Sequence, residues 1–82
     1  MGVDFERGDR VMVVDDEPVH LADHWIMYRG AKATIEDVNG VSGGPIESRY
    51  LWLVFDGVPR RHVVPAYRFR KLDTIELLAE LA

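Results

Sequence analysis

Arg49-Tyr50-Leu51-Trp52-Leu53-Val54-Phe55-Asp56-Gly57-Val58 is the stretch whose conformation decides the fold. Six large apolar residues, 50–55, run into Asp-Gly, a dipeptide that supplies the positive φ angles of a tight hairpin turn. The run is too short for a membrane span and is rich in aromatic and branched side chains, so it predicts a strand. Its alternating halves, Tyr50, Trp52, Val54 and Leu51, Leu53, Phe55, are both apolar. A small sheet domain buries only its inner face, so the outer face of this strand needs a second cover. Two covers are conceivable: a C-terminal helix folding back with Ile75, Leu78 and Leu81, or a second subunit, making the outer face of strand 50–55 a homo-oligomer contact. The helix is preferred, because the chain supplies an apolar helix directly beside its last strand.

Outward from that strand the chain is punctuated by breakers. Toward the N-terminus, Asn39-Gly40-Val41-Ser42-Gly43-Gly44-Pro45 predicts an exposed loop. Before it, Ala31 to Val38 makes a strand with a half-buried pattern only in its middle. A long loop from Asp15 to about Arg29 separates this from a first strand, Arg10-Val11-Met12-Val13-Val14, which follows the Gly8-Asp9 turn. On the C-terminal side the chain turns at Asp56-Gly57, returns through roughly Arg60 to Val64, and is interrupted at Pro65-Ala66-Tyr67, since proline cannot donate to a ladder. Arg68 to Leu72 forms a short last strand. Asp73 then caps a helix over about 73–81, with Glu76 three residues on completing a capping box.

These elements predict a single mainly β domain over residues 1–82: a small SH3-like barrel of about five strands with a short C-terminal helix. Closing a sheet on itself limits open edges in a sequence so rich in β-formers. An OB-type barrel is the alternative, but it usually places a helix between strands, and no helical period lies between Arg10 and Leu72.

Composition sets the outer bounds. The chain has 82 residues, 48% of them hydrophobic, and no cysteine. That describes a folded single domain without disulfides or thiolate metal sites, and a cytoplasmic setting. No secretory signal or membrane span is visible, and Gly2 lacks the residues of a myristoylation pattern. The net charge of −4 disfavours non-specific nucleic-acid binding. It hides two local fields, however: Asp15, Asp16, Glu17 and Asp23 early, and Arg60, Arg61, Arg68, Arg70 and Lys71 late.

The order of motifs resembles the barrel domain of the nitrile hydratase β subunit. The matching pieces are Gly8-Asp9-Arg10-Val11, Pro18 and His20, Tyr28-Arg29-Gly30, Ile35-Glu36, Gly40, and Tyr50-Leu51-Trp52-Leu53-Val54-Phe55-Asp56. The chain is also similar, more faintly, to the ferredoxin–thioredoxin reductase variable chain and to the small barrel subunit of photosystem I. The resemblance covers about Arg7 to Leu72 and implies an SH3-like barrel acting as an accessory docked on a redox or metal enzyme. It departs from the hydratase pattern at Ala33, where a second glycine is usual, and at Leu21-Ala22-Asp23, where arginine follows the histidine in that family. The large helical N-terminal half of that subunit is absent too. The resemblance therefore implies docking without inherited catalytic equipment.

The chemistry-bearing residues point the same way. His20 and His24, with Asp15, Asp16, Glu17 and Asp23 nearby, have nitrogen and oxygen ligands for a metal, but Pro18 argues against the helix that would align them, and a solvated acidic loop is preferred. His62 reads as a surface or partly buried strand residue. No nucleophile and base are paired around Ser42 or Ser48, and Gly40-Val41-Ser42-Gly43-Gly44 lacks the lysine and helix of a phosphate loop. Neither catalytic residues, metal nor cofactor are expected. Arg60, Arg61, Tyr67, Arg68 and Arg70 make the stronger surface, with Trp25 and Tyr28 from the first loop, because arginine and tyrosine are enriched where proteins meet partners. The rest of Trp25-Ile26-Met27-Tyr28 is expected to fold under the barrel. The expectation is a non-enzymatic adaptor docking a larger protein, such as a multisubunit enzyme. The alternative is a nucleic-acid-binding regulator using the Arg60–Lys71 cluster.

Overall fold

The computed structural model describes residues 5–39 and 49–82. Within them β1 (Arg10–Val13), β2 (Val19–His20), β3 (Ile26–Met27), β4 (Lys32–Asn39), β5 (Tyr50–Phe55), β6 (Arg61–Pro65), β7 (Phe69–Lys71) and α1 (Thr74–Leu81) follow in order, with 3₁₀ turns at Ala22–His24 and Ala66–Arg68. The breaker-rich loop of residues 40–48 and the first four residues lie outside the described part.

Five strands form one antiparallel sheet in the order β6-β5-β4-β1-β7, so the last strand returns beside the first, as in an SH3-like barrel. In a flat sheet β5 and β7, with β4 and β1 between them, would stand about 14 Å apart. Their Phe55 and Phe69 ring centroids are nevertheless 5.8 Å apart, so the sheet curls and its inner face closes on itself. Period-two alternation fills that interior: Val11 and Val13 from β1, Ala33 and Ile35 from β4, and Leu51, Leu53 and Phe55 from β5 are buried. The register of β4 against β5 shifts between Ile35 and Asp37, a bulge that leaves Glu36 and Asp37 both exposed and explains why only the middle of β4 alternates cleanly.

Two departures concern turns. The Asp56-Gly57 turn is not a two-residue hairpin: Val58 donates to the Phe55 carbonyl at 3.0 Å, only Gly57 has positive φ (83°), and the last ladder pair is Val54 with Arg61. Pro59 has no N–H to offer, so pairing resumes only beyond it. The long first loop also has structure of its own. β2 and β3 form a miniature hairpin whose turn holds Asp23 and His24 at φ of 63° and 65°, a conformation that aspartate and histidine tolerate better than most residues. Of the 25–28 cluster, Met27 packs against the core, while Trp25, Ile26 and Tyr28 are exposed.

The C-terminal helix forms with the expected capping box: Glu76 N–H donates to Asp73 Oδ1 at 2.8 Å and Asp73 N–H to Glu76 Oε1 at 3.0 Å. Its orientation overturns the expected cover. Ile75, Leu78 and Leu81 do not lie over Trp52; they are 78%, 60% and 84% exposed, and no residue of α1 is buried. The helix meets the barrel through its acids instead. Glu76 and Glu80, one turn apart, reach the outer face of β7-β1-β4, where Arg70, Arg10 and Lys32 project. What lies over Trp52 is the guanidinium of Arg61 on the neighbouring strand, 4.8 Å from the ring centre.

Candidate functional site: a cleft between the first loop and the β6 edge

β6 is an edge strand of the sheet, and the first loop comes alongside it. Pro18, Val19 and His20 face Val63, Val64, Pro65 and Arg68 across a cleft of about 260 Å³. Proline builds both rims, Pro18 in the loop and Pro65 at the strand end, and fixes the backbone there. The 3₁₀ turn Ala66–Arg68 then sets Tyr67 outward, 46% exposed, next to the cleft.

Arg68 is the polar element of this cleft. Its carbonyl accepts from Val14 N–H at 2.9 Å, which ties the turn to the end of β1. Its guanidinium lies 5.6 Å from the Tyr67 ring centre, 3.5 Å from Asp15 Oδ2 and 3.7 Å from Glu17 Oε2. Those carboxylates are near enough for attraction, yet Nη1 is out of water and makes no hydrogen bond. The cleft thus combines apolar walls with an arginine that is oriented by two carboxylates of the first loop.

The basic cluster expected from the sequence does not stay together. Arg60 is exposed and 3.6 Å from Asp23, Arg68 holds Asp15 and Glu17, Lys71 sits 3.2 Å from Asp9, and Arg70 makes paired bonds of 2.7 and 2.8 Å to Glu76. Arg61 lies over Trp52. Arg61 and Arg70 therefore belong to the outer sheet face, whereas Tyr67 and Arg68 belong to the cleft. Trp25 and Tyr28 are exposed in the first loop but do not line the cleft. Of the early acids and late bases, read as separate fields, Asp15, Glu17 and Asp23 meet Arg68 and Arg60, so the two fields neutralise one another in part.

Sequence reasoning missed Pro18, Val63 and Pro65 as cleft residues. Their signal was the outward valine in the alternation of β6, an apolar side chain left 49% exposed on the face opposite the core. His20, weighed as a metal ligand and read instead as part of a solvated loop, lines the cleft, while His24 lies in the left-handed turn. Among the described residues no three histidine or carboxylate side chains gather as a metal-binding group.

A second concavity, of about 560 Å³, opens on the outer face beside the 56–59 turn, lined by Thr34, Val54, Val58 and Pro59 with Glu36 and Asp56. Here Arg10 is the hub, missed because an arginine starting a strand carries no mark of its tertiary partners. It donates to both Asp56 oxygens at 2.8 and 2.7 Å, to Glu80 at 3.0 and 2.7 Å, and to Thr34 Oγ1 at 3.0 Å. These bonds hold the Asp56 and Glu80 carboxyls below the ordinary carboxylate range and raise Arg10. Glu76 is held at about 2, first by Arg70 and then by the Asp73 backbone N–H. The arrangement is structural, since every donor of the hub already has an acceptor within the chain. No helix among the described residues is long and apolar enough to cross a membrane. No family model, curated protein or solved structure matches the chain.

Proposed function

We propose that this chain is a non-enzymatic cytoplasmic accessory domain that docks a larger protein through the cleft between its first loop and β6. The observation carrying this reading is the apolar cleft beside the β6 edge, walled by Pro18, Val63 and Pro65 and bordered by an Arg68 that Asp15 and Glu17 hold in place. An extended partner segment would lie along the β6 edge, its backbone pairing with that edge and its apolar side chains against the prolines. Tyr67 would close over it, and Trp25 and Tyr28 would extend the contact along the loop. A docked multisubunit enzyme suits both this surface and the resemblance in motif order.

Nucleic acid is the weaker reading, because Arg60, Arg68, Arg70 and Lys71 already face carboxylates of the same chain. A photo-crosslinking residue placed at Tyr67 in native cells should yield a protein adduct that Val63→Arg abolishes. No adduct at Tyr67 would overturn the docking assignment. Retention on heparin at low salt that Arg60→Ala with Arg61→Ala removes would transfer it to nucleic acid.

A further inference from the structure

The concavity of about 560 Å³ beside the 56–59 turn joins apolar walls to two exposed carboxylates. Val54, Val58 and Pro59 supply the walls, and Glu36 and Asp56 supply the acid. The two acids differ in their partners. Asp56 accepts paired bonds from Arg10, which keep it ionised. Its side chain is still 57% exposed, and a carboxylate offers about four lone-pair sites, so further donors can reach it. Glu36 follows Thr34 on the outer face of β4, because Ala33 and Ile35 between them point into the core. The cations around it serve other groups: Arg10 and Lys32 meet Glu80, Arg60 meets Asp23, and Arg61 lies over Trp52. Among the described residues, Glu36 and Glu6 alone are carboxylates with neither a cation nor a backbone donor, and Glu6 does not line the concavity.

We propose that this concavity receives a lysine side chain of a partner protein, its carbon stem against Val54, Val58 and Pro59 and its ammonium donating to Glu36 and Asp56. Charge complementarity selects a cation, since a neutral or acidic side chain would leave Glu36 without a counter-charge. The net charge of −4 adds attraction at longer range. The apolar walls select a cation with a carbon stem over a bare metal ion, which would find no third histidine or carboxylate gathered there. Lysine is selected over arginine because Arg10 already spans both Asp56 oxygens, the paired arrangement a second guanidinium would need. An ammonium is a compact charge with rotatable donors and needs no such fork. This site shares no residue with the first-loop cleft and does not depend on it.

The probe is Nα-acetyl-lysine N-methylamide, titrated at low salt into the isotope-labelled full chain and followed by its amide resonances. Those of Glu36, Asp56, Gly57 and Val58 should shift and saturate with a dissociation constant of about 1–10 mM, the range open to a ligand of this size. The norleucine derivative has the same stem without the ammonium and should bind roughly tenfold more weakly or worse. Glu36→Gln, at an exposed position, should keep the amide spectrum dispersed and weaken the lysine probe roughly tenfold. Val63→Arg, in the other cleft, should leave the titration unchanged. Absence of saturating shifts below about 100 mM would overturn the proposal. So would an equal response to the norleucine derivative, an affinity untouched by Glu36→Gln or lost with Val63→Arg, or tighter binding of the corresponding arginine derivative.

Discussion

At His62 the alternation of β6 turns an imidazole to the buried face, where it is 9% exposed and its Nε2 has no hydrogen-bond partner. A buried donor or acceptor left unpaired costs more than an apolar group of similar size in its place. His62→Leu is therefore expected to be neutral or to stabilise the domain by up to about 1 kcal/mol in thermal denaturation. A comparable loss instead would show that the imidazole has a partner in solution. Its burial was legible by counting: residues two apart share a face, and Val64 is a core residue. The type of residue, rather than its position, left the reading between a surface and a partly buried strand residue. Arg10 shows the opposite limit, since nothing local to it announces Asp56 and Glu80, 46 and 70 positions away.

Helix α1 shows what local patterns can and cannot convey. Its start was readable because a capping box is a contact between residues three apart. Its orientation was not, because the cations that receive Glu76 and Glu80 come from β1, β4 and β7, and an apolar stripe was expected to point inward. Attachment through carboxylates has a definite pH consequence. Asp56, Glu76 and Glu80 have folded pKa values lowered chiefly by hydrogen bonds from Arg10 or Arg70. A lowered carboxylate stabilises the fold above its ordinary value and loses that contribution as pH falls through the folded value. For Glu76 the window runs from 4.5 down to about 2. In that window the Leu77 and Leu78 amide resonances should move toward unfolded shifts while those of Leu51 and Leu53 in β5 stay dispersed. A concerted loss of both would show that helix and sheet form one cooperative unit.

Across the whole molecule, the succession of main-sheet strands along the chain was legible from the sequence because it follows from apolar runs and breakers, and the 50–55 run landed as a strand, with Leu51, Leu53 and Phe55 inside. The candidate surface was legible only in part. Tyr67 and Arg68 reach the cleft, but Arg61 and Arg70 go to another face, because neighbours in sequence alternate sides in a strand. The inverted seating of α1 has one more implication. Its carboxylates cover Lys32 and Arg70, and share Arg10 with Asp56, as a phosphate or acidic side chain from outside would. Because nothing in α1 is buried, excising residues 74–82 should spare the sheet, leaving its amide protection in place. The shortened chain should then elute from heparin at higher salt than the intact one, since Lys32 and Arg70 are unmasked and can displace counterions while Arg10 stays bound to Asp56. Identical elution would mean that the helix hides no latent polyanion surface.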